Sequence, residues 1–490
     1  MAAVGTEQPL TLKLMVIKGK KKVVIAEAGK EFVDILFSFL TLPLGTIARL
    51  VREESLVQPP EVALLSTLYQ SVQNLDDGYL CTDTCREMLL RPRNSMEAYC
   101  RSLKINIDDT EPTEYFVCKN LVNCPEKSPV FISSFKNKKC RCGALLGKPI
   151  SAETSCVFDG FIKSNVRFMI TDDLKVIPNS LDEMVNVLKG SGIKTMSSVN
   201  VMSVHITKNQ VVDLLKCCLC SKTVLTDLFL EKLPNERLLK KKRIAPSDFK
   251  AKGSGKITVK IMQRKSNGKI VFTEGKEDFA DFLSSLLTIP LGGMAHLMEG
   301  CCCVGSVDEL YKSVVDLNED YFISKGVKYN FVHPVLAPQF KLGNLLPLRC
   351  NYVPNYFCYI KCYDLHGHRY GSRSIASCYL TSINKTVNSS LESCVPLKFV
   401  DPMSDTSNNG KGYLKGPTTY MVTDDLVVTP SSSISVMSLL TSMSISVDDL
   451  EEKVVSIGTE EGVRILQASL SSTSALTLGL SHLTKEKEEK

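Results

Sequence analysis

The chain repeats itself. The 35 residues from Leu12, LKLMVIKGKKKVVIAEAGKEFVDILFSFLTLPLGT, align without a gap on VKIMQRKSNGKIVFTEGKEDFADFLSSLLTIPLGG from Val259, and fifteen positions are identical. A second block, FMITDDLKVIPNSLDEMV from Phe168, returns as YMVTDDLVVTPSSSISVM from Tyr420. A third, VVDLLKCCLCSKTVLTDLFL from Val211, returns as GVRILQASLSSTSALTLGL from Gly462. Because the blocks recur in the same order, duplication constrains the fold more than any single motif. The expected organisation is a first module over 1–235, a basic linker over 236–256, a second module over 257–484 and a charged tail over 485–490. Each module is long enough to bury a core of its own.

Within a module the hydrophobic period changes in a fixed order. Leu10, Leu12, Leu14 and Val16 alternate with Thr11, Lys13 and Met15, the pattern of a strand with one covered face. With the run over 23–27 it predicts a hairpin, matched by runs over 257–262 and 270–274. Phe32, Ile35, Leu36, Phe39 and Leu40 then recur at helical spacing, as do Phe279, Phe282, Leu283, Leu286 and Leu287. Both helices should stop before Pro43 and Pro290, since a residue preceding proline avoids helical angles. Further on, an extended run is expected over 167–176, a helix after the Ser180–Glu183 capping pair, a strand over 199–206 and a helix after Thr207 and Gln210. This order predicts an α+β class: two homologous modules in tandem, each a β-hairpin followed by helices packed on a mostly antiparallel sheet.

Composition narrows the function classes. The opening MAAVGTEQPL lacks the basic start and apolar stretch of a signal peptide, and no run reaches the length of a membrane span. Nineteen cysteines in such a chain point to reduced thiols and to a soluble protein of the cytoplasm, with the nucleus as a second compartment. The net charge of +6 is matched by the excess between Glu236 and Lys256, where eight Lys and Arg face two acids. The rest balances, which disfavours nucleic-acid binding by the folded modules and favours a protein partner. Lys240, Lys241, Lys242 and Arg243 form a candidate import signal, against the simpler reading of a solvated linker.

The assembled blocks resemble a plant family, the domain of unknown function 674 proteins. The match is carried by Leu12-Lys13-Leu14, by the segment from Glu27-Ala28-Gly29-Lys30 through Phe32-Val33-Asp34 to Leu42-Pro43-Leu44-Gly45-Thr46, by Thr171-Asp172-Asp173-Leu174, and by the run from Ser221 to Asp227. The resemblance covers nearly the whole chain and implies a plant source and a tandem architecture, with no assigned activity. In the second copy Gly275-Lys276-Glu277 replaces Ala28-Gly29-Lys30.

The chemical candidates are few. Cys118, Cys124, Cys140 and Cys142 lie on one loop and supply the four thiolates of a tetrahedral zinc site, although C-x5-C and C-x-C depart from the usual C-x2-C. Cys358, Cys362, His366 and His368 occupy the corresponding stretch of the second module, with mixed ligands that zinc also accepts. Ordinary buried thiols are the competing reading of both sets. The recurrent acids Asp34, Asp172, Asp173, Asp281, Asp424 and Asp425 have no assigned role, and a turn or capping role is favoured over acid–base chemistry. Phosphate loops, nucleophile elbows and zinc-protease motifs are missing, and none of the six His falls at matched positions. No catalytic residue is therefore named. The leading expectation is a non-enzymatic protein-interaction scaffold. The competing ones are a small-ligand protein or enzyme with its site between the modules, and a zinc-stabilised adaptor.

Overall fold

The computed structural model describes residues 10–53, 60–121, 124, 129–136, 138–152, 158–230, 255–302, 304–343, 345–348, 357–364, 373–381, 391–404 and 412–484. In chain order the first half supplies strands β1 (Leu10–Ile17), β2 (Lys22–Gly29), β3 (Tyr115–Cys118), β4 (Val130–Ser133), β5 (Leu146–Ala152), β6 (Arg167–Thr171), β7 (Val176–Pro178) and β8 (Val199–Ile206). The second supplies β9 (Ile257–Arg264), β10 (Ile270–Gly275), β11 (Phe357–Asp364), β12 (Arg373–Thr381), β13 (Glu392–Phe399), β14 (Tyr420–Thr423), β15 (Val428–Pro430) and β16 (Leu450–Ile457). The class is α+β. Two five-stranded antiparallel sheets have the same plan, β7-β6-β2-β1-β8 and β15-β14-β10-β9-β16. The Lys30–Thr41 helix is buried all round except at Glu31, and the Glu277–Ser285 helix lays Phe279 and Leu283 into the same core.

Local signals place the elements well. Ser180 accepts from the Glu183 N–H at the start of Leu181–Gly190, and Thr207 and Gln210 form a reciprocal capping box on Lys208–Cys220. The extended run expected over 167–176 is instead broken by a turn. The Leu174 N–H donates to the Thr171 carbonyl, and Leu174 takes φ 65°, as Leu426 does at 63° in the second copy. A leucine rarely adopts that angle; here complete burial of both side chains offsets the strain.

The halves are not separately packed. One continuous core runs from Leu12 and Phe39 through Leu68 to Phe282, Leu310 and Ile465, so the expected core per module is corrected to a shared one. The repeated Leu-Pro-Leu and Ile-Pro-Leu runs meet each other. The Leu44 N–H donates to the Ile289 carbonyl (2.8 Å), and the Leu291 N–H returns the bond to Leu42 (2.9 Å). Reciprocal contacts continue outward. Val176 N–H donates to Ser313 Oγ (2.8 Å), and Val428 N–H donates to Ser71 Oγ (3.1 Å). The bridges Leu80–Leu414 and Ile162–Phe322 make another matched pair. Gly292 lets the backbones approach, since a Cβ there would sit 2.9 Å from the Leu40 carbonyl. Gly292→Ala should therefore destabilise the chain by about 1–3 kcal/mol, read as a lowered denaturant midpoint, although alanine is the better helix former.

The third sheet is a closed barrel in the order β11-β12-β5-β3-β4-β13, three strands from each half. Two parallel seams, Tyr379 against Ser151 and Leu397 against Val130, join the halves. Its interior holds Val117, Val130, Ile132, Ile150, Cys358, Ile360 and Leu380. A smaller apolar cluster of Phe116, Phe131 and Leu146 contains Cys118, Cys124 and Cys140 as well.

Candidate metal centre

Cys118 ends β3, and Cys140 and Cys142 lie on a hairpin beside it. The Cys140 N–H donates to the Ala144 carbonyl (2.8 Å), the Gly143 N–H donates to the Cys140 carbonyl (2.9 Å), and Gly143 sits at φ 84°. The Lys119 N–H donates to the Leu145 carbonyl (3.0 Å), which ties the hairpin to the end of β3. With Cys124, the four Sγ atoms all lie within 4.8 Å of one another. Cys118 and Cys142 are 3.6 Å apart, and Cys124 and Cys140 are 3.8 Å apart. A disulfide needs about 2.05 Å. A zinc ion at about 2.3 Å from four sulfurs places them about 3.8 Å apart. The cysteines therefore fit a tetrahedral metal.

The surroundings suit thiolate ligands. Backbone N–H groups of Asn120, Cys142 and Ala144 donate to the sulfurs of Cys118, Cys140 and Cys142, each from two residues downstream. Burial pushes the Cys118 thiol up and the Cys140 thiol up to about 11. The Ala144 N–H holds Cys142 below the ordinary thiol range. A metal bound by the four sulfurs would take the place of their thiol protons.

Of the second candidate set the structure describes one side chain, that of Cys358. Cys358 lies on β11 in the barrel interior with its Sγ 3.3 Å from Cys378, on the neighbouring strand. That contact and burial push the Cys358 thiol up. The side chain of Cys362, together with His366 and His368, lies outside the described residues, as do Lys240, Lys241, Lys242 and Arg243.

The recurrent acids accept hydrogen bonds within the fold in both copies. Asp172 accepts from the N–H and Oγ of Thr226, both at 2.8 Å, and Thr226 Oγ accepts from the Val23 N–H. Asp424 repeats this with Thr477 and Ile270. Burial raises both carboxyls, Asp172 to about 6. Asp173 and Asp425 accept from the hydroxyls of Thr171 and Thr423 inside the same turns. Asp34 accepts from the N–H groups of Phe161 and Ile162 (2.9 Å each), and Asp281 from that of Leu414 (2.6 Å). Gly160 and Gly412 face these acids so closely that a Cβ would fall 2.0 and 1.3 Å from a carboxylate oxygen. Their role was not anticipated, although they stand at the same spacing as Phe168 and Tyr420.

Residues 6–478 match the family described as Protein of unknown function (DUF674). The chain belongs to that family. No curated protein and no solved structure matches it. Among the described residues of this DUF674 chain, no helix is long and apolar enough to cross a membrane.

The two copies of the DUF674 helix acid differ in their neighbours. Asp34 pairs with Lys30 at 2.7 Å, and burial against that ammonium leaves its carboxyl at about 6. Glu277 replaces Lys30 in the second copy; burial, with Glu277 and Asp278 nearby, pushes Asp281 up to about 7. A carboxyl whose folded pKa exceeds its unfolded value of 3.8 favours folding while protonated. Asp281 therefore contributes stability in full below about pH 4 and loses it as pH rises towards about 7. Asp281→Asn keeps an acceptor for Leu414 and should flatten that pH dependence, with a higher melting temperature than the parent at pH 8. Asp34→Asn removes the nearer carboxylate from the buried Lys30, which keeps the Asp159 carboxylate and carbonyl, and should cost about 1–3 kcal/mol at the same pH. Thermal melts of both variants from pH 4 to 8 check the opposite signs.

Proposed function

We propose that this chain is a non-enzymatic scaffold that binds a partner protein and is stabilised by one structural zinc. The supporting observation is the four-sulfur cluster of Cys118, Cys124, Cys140 and Cys142, with all atoms within 4.8 Å. Its loop packs on the barrel to which both halves contribute strands, so a metal there would fix the region where the repeats are joined. In this reading the repeat modules are 1–235 and 257–484, the segment 236–256 connects them, and the protein works in the cytoplasm, entering the nucleus if Lys240 to Arg243 are read by an import receptor. A non-catalytic role is supported by the recurrent acids. Asp172 and Asp424 commit both carboxylate oxygens to a threonine, leaving little for acid–base chemistry.

Full-length protein purified without chelator should carry about one zinc per chain, as the four-thiolate fit requires. The same protein, immobilised, should retain a specific protein from an extract of its source tissue, and mass spectrometry would identify it. Zinc below half an equivalent removes the metal part of the proposal; retention of nothing specific removes the scaffold part.

A further inference from the structure

We propose that the loop surface around the four cysteines docks an extended acidic segment of a partner protein, an inference that rests on the scaffold reading. Whole-chain charge balance conceals the feature. Residues 119–148 hold seven Lys and Arg against a single acid, Glu126. Lys119, Lys136, Lys139 and Arg141 are exposed on the described surface. Lys136 makes only a 3.7 Å contact with Glu114, both side chains being largely in solvent. Lys138 is committed elsewhere, since its ammonium donates to the Pro402 carbonyl.

The chain path brings these cations to one knuckle. Lys139 bridges to Leu145, whose carbonyl accepts from the Lys119 N–H, so two of the cations flank one exposed leucine. Arg141 lies over the Phe131 ring at 5.0 Å, and Lys136 over Phe116 at 5.6 Å. Both rings belong to the cluster that contains Cys118, Cys124 and Cys140. The result is a fixed, positively charged surface with a small apolar spot.

The same geometry favours protein over nucleic acid. Single-stranded nucleic acid is gripped by exposed aromatic rings on which bases stack, but Phe116 and Phe131 are buried under their cations. Duplex DNA is read by a helix or ribbon that enters the major groove, and this surface is built of loops and strand ends. An extended chain rich in Asp and Glu, with a leucine-sized side chain among them, matches both the charge and the apolar spot.

The test uses the full chain as purified and fluorescence anisotropy of a short labelled peptide alternating Glu and Asp around one Leu. The peptide should bind, with affinity falling as salt is added. The triple variant Lys119→Glu, Lys139→Glu, Arg141→Glu should weaken binding about tenfold or more, because three exposed charge contacts together amount to about that factor. Its zinc content and melting temperature should match the parent, which separates lost charge from lost structure. No binding, binding unchanged by the triple variant, or tighter binding of an oligothymidylate of equal charge would each overturn the proposal. If the peptide fails while a partner is still retained from extract, the docking surface falls and the scaffold reading stands. If nothing is retained either, both fall.

Discussion

Replacing Cys140 with serine should abolish stoichiometric zinc and lower the melting temperature by about 5–10 °C. Cys140 is buried beside Cys124 at 3.8 Å and belongs to the apolar cluster that covers Phe116 and Phe131. Structural zinc sites in isolated fingers are worth about 10–16 kcal/mol, because metal binding and folding are the same event. Here the barrel has its own apolar interior, so only the part of that energy that orders the loop is at stake, on the order of 5 kcal/mol. Spread over a chain this long, such a loss moves the midpoint by the stated amount. Cys301 is exposed and lies outside the cluster, so Cys301→Ser should leave both zinc and midpoint unchanged. Differential scanning calorimetry with metal analysis of the three proteins provides the comparison. Equal midpoints for Cys140→Ser and Cys301→Ser would mean that the cluster holds nothing.

A chain cut between the repeats should lose folding altogether. Residues 1–235 alone would leave β4 and β5 without their neighbours β13 and β12, and would uncover the face on which Leu42 to Leu44 meet Ile289 to Leu291. Open barrel edges invite aggregation, and the apolar surface uncovered spans both sequence halves of one core. The full chain should melt in a transition to which both halves contribute, whereas either half alone should show no cooperative transition and should bind a hydrophobic dye. Refolding the two together should restore the melt. A sharp, independent transition in either half would show that the reciprocal contacts join modules that are already complete.

Where local chemistry decides, the sequence was readable. The hairpin period in Leu10 to Val16, the stops before Pro43 and Pro290, and the capping pairs Ser180–Glu183 and Thr207–Gln210 each depend on residues a few positions apart. The four cysteines were readable because they are close in sequence, although they do not share the one loop expected: Cys118 ends β3, and β4 runs between Cys124 and Cys140. The barrel was not. Its seams pair Ser151 with Tyr379 and Val130 with Leu397, and nothing local to either partner specifies the other. Duplication itself misled the reading of the core, because two similar sequences suggest two similar cores. The motif they share is in fact the surface on which they meet. Leu42-Pro43-Leu44 ends one helix within its own repeat and hydrogen-bonds to its counterpart in the other. The charge on the knuckle was hidden by averaging, since a balance struck over hundreds of residues says nothing about thirty of them.

X-ray absorption at the zinc edge, on full-length protein purified without chelator, addresses the metal centre most directly. Four sulfur neighbours at about 2.3 Å, and no nitrogen or oxygen shell, are expected for Cys118, Cys124, Cys140 and Cys142. A spectrum dominated by nitrogen and oxygen, or protein with no zinc to excite, would contradict it.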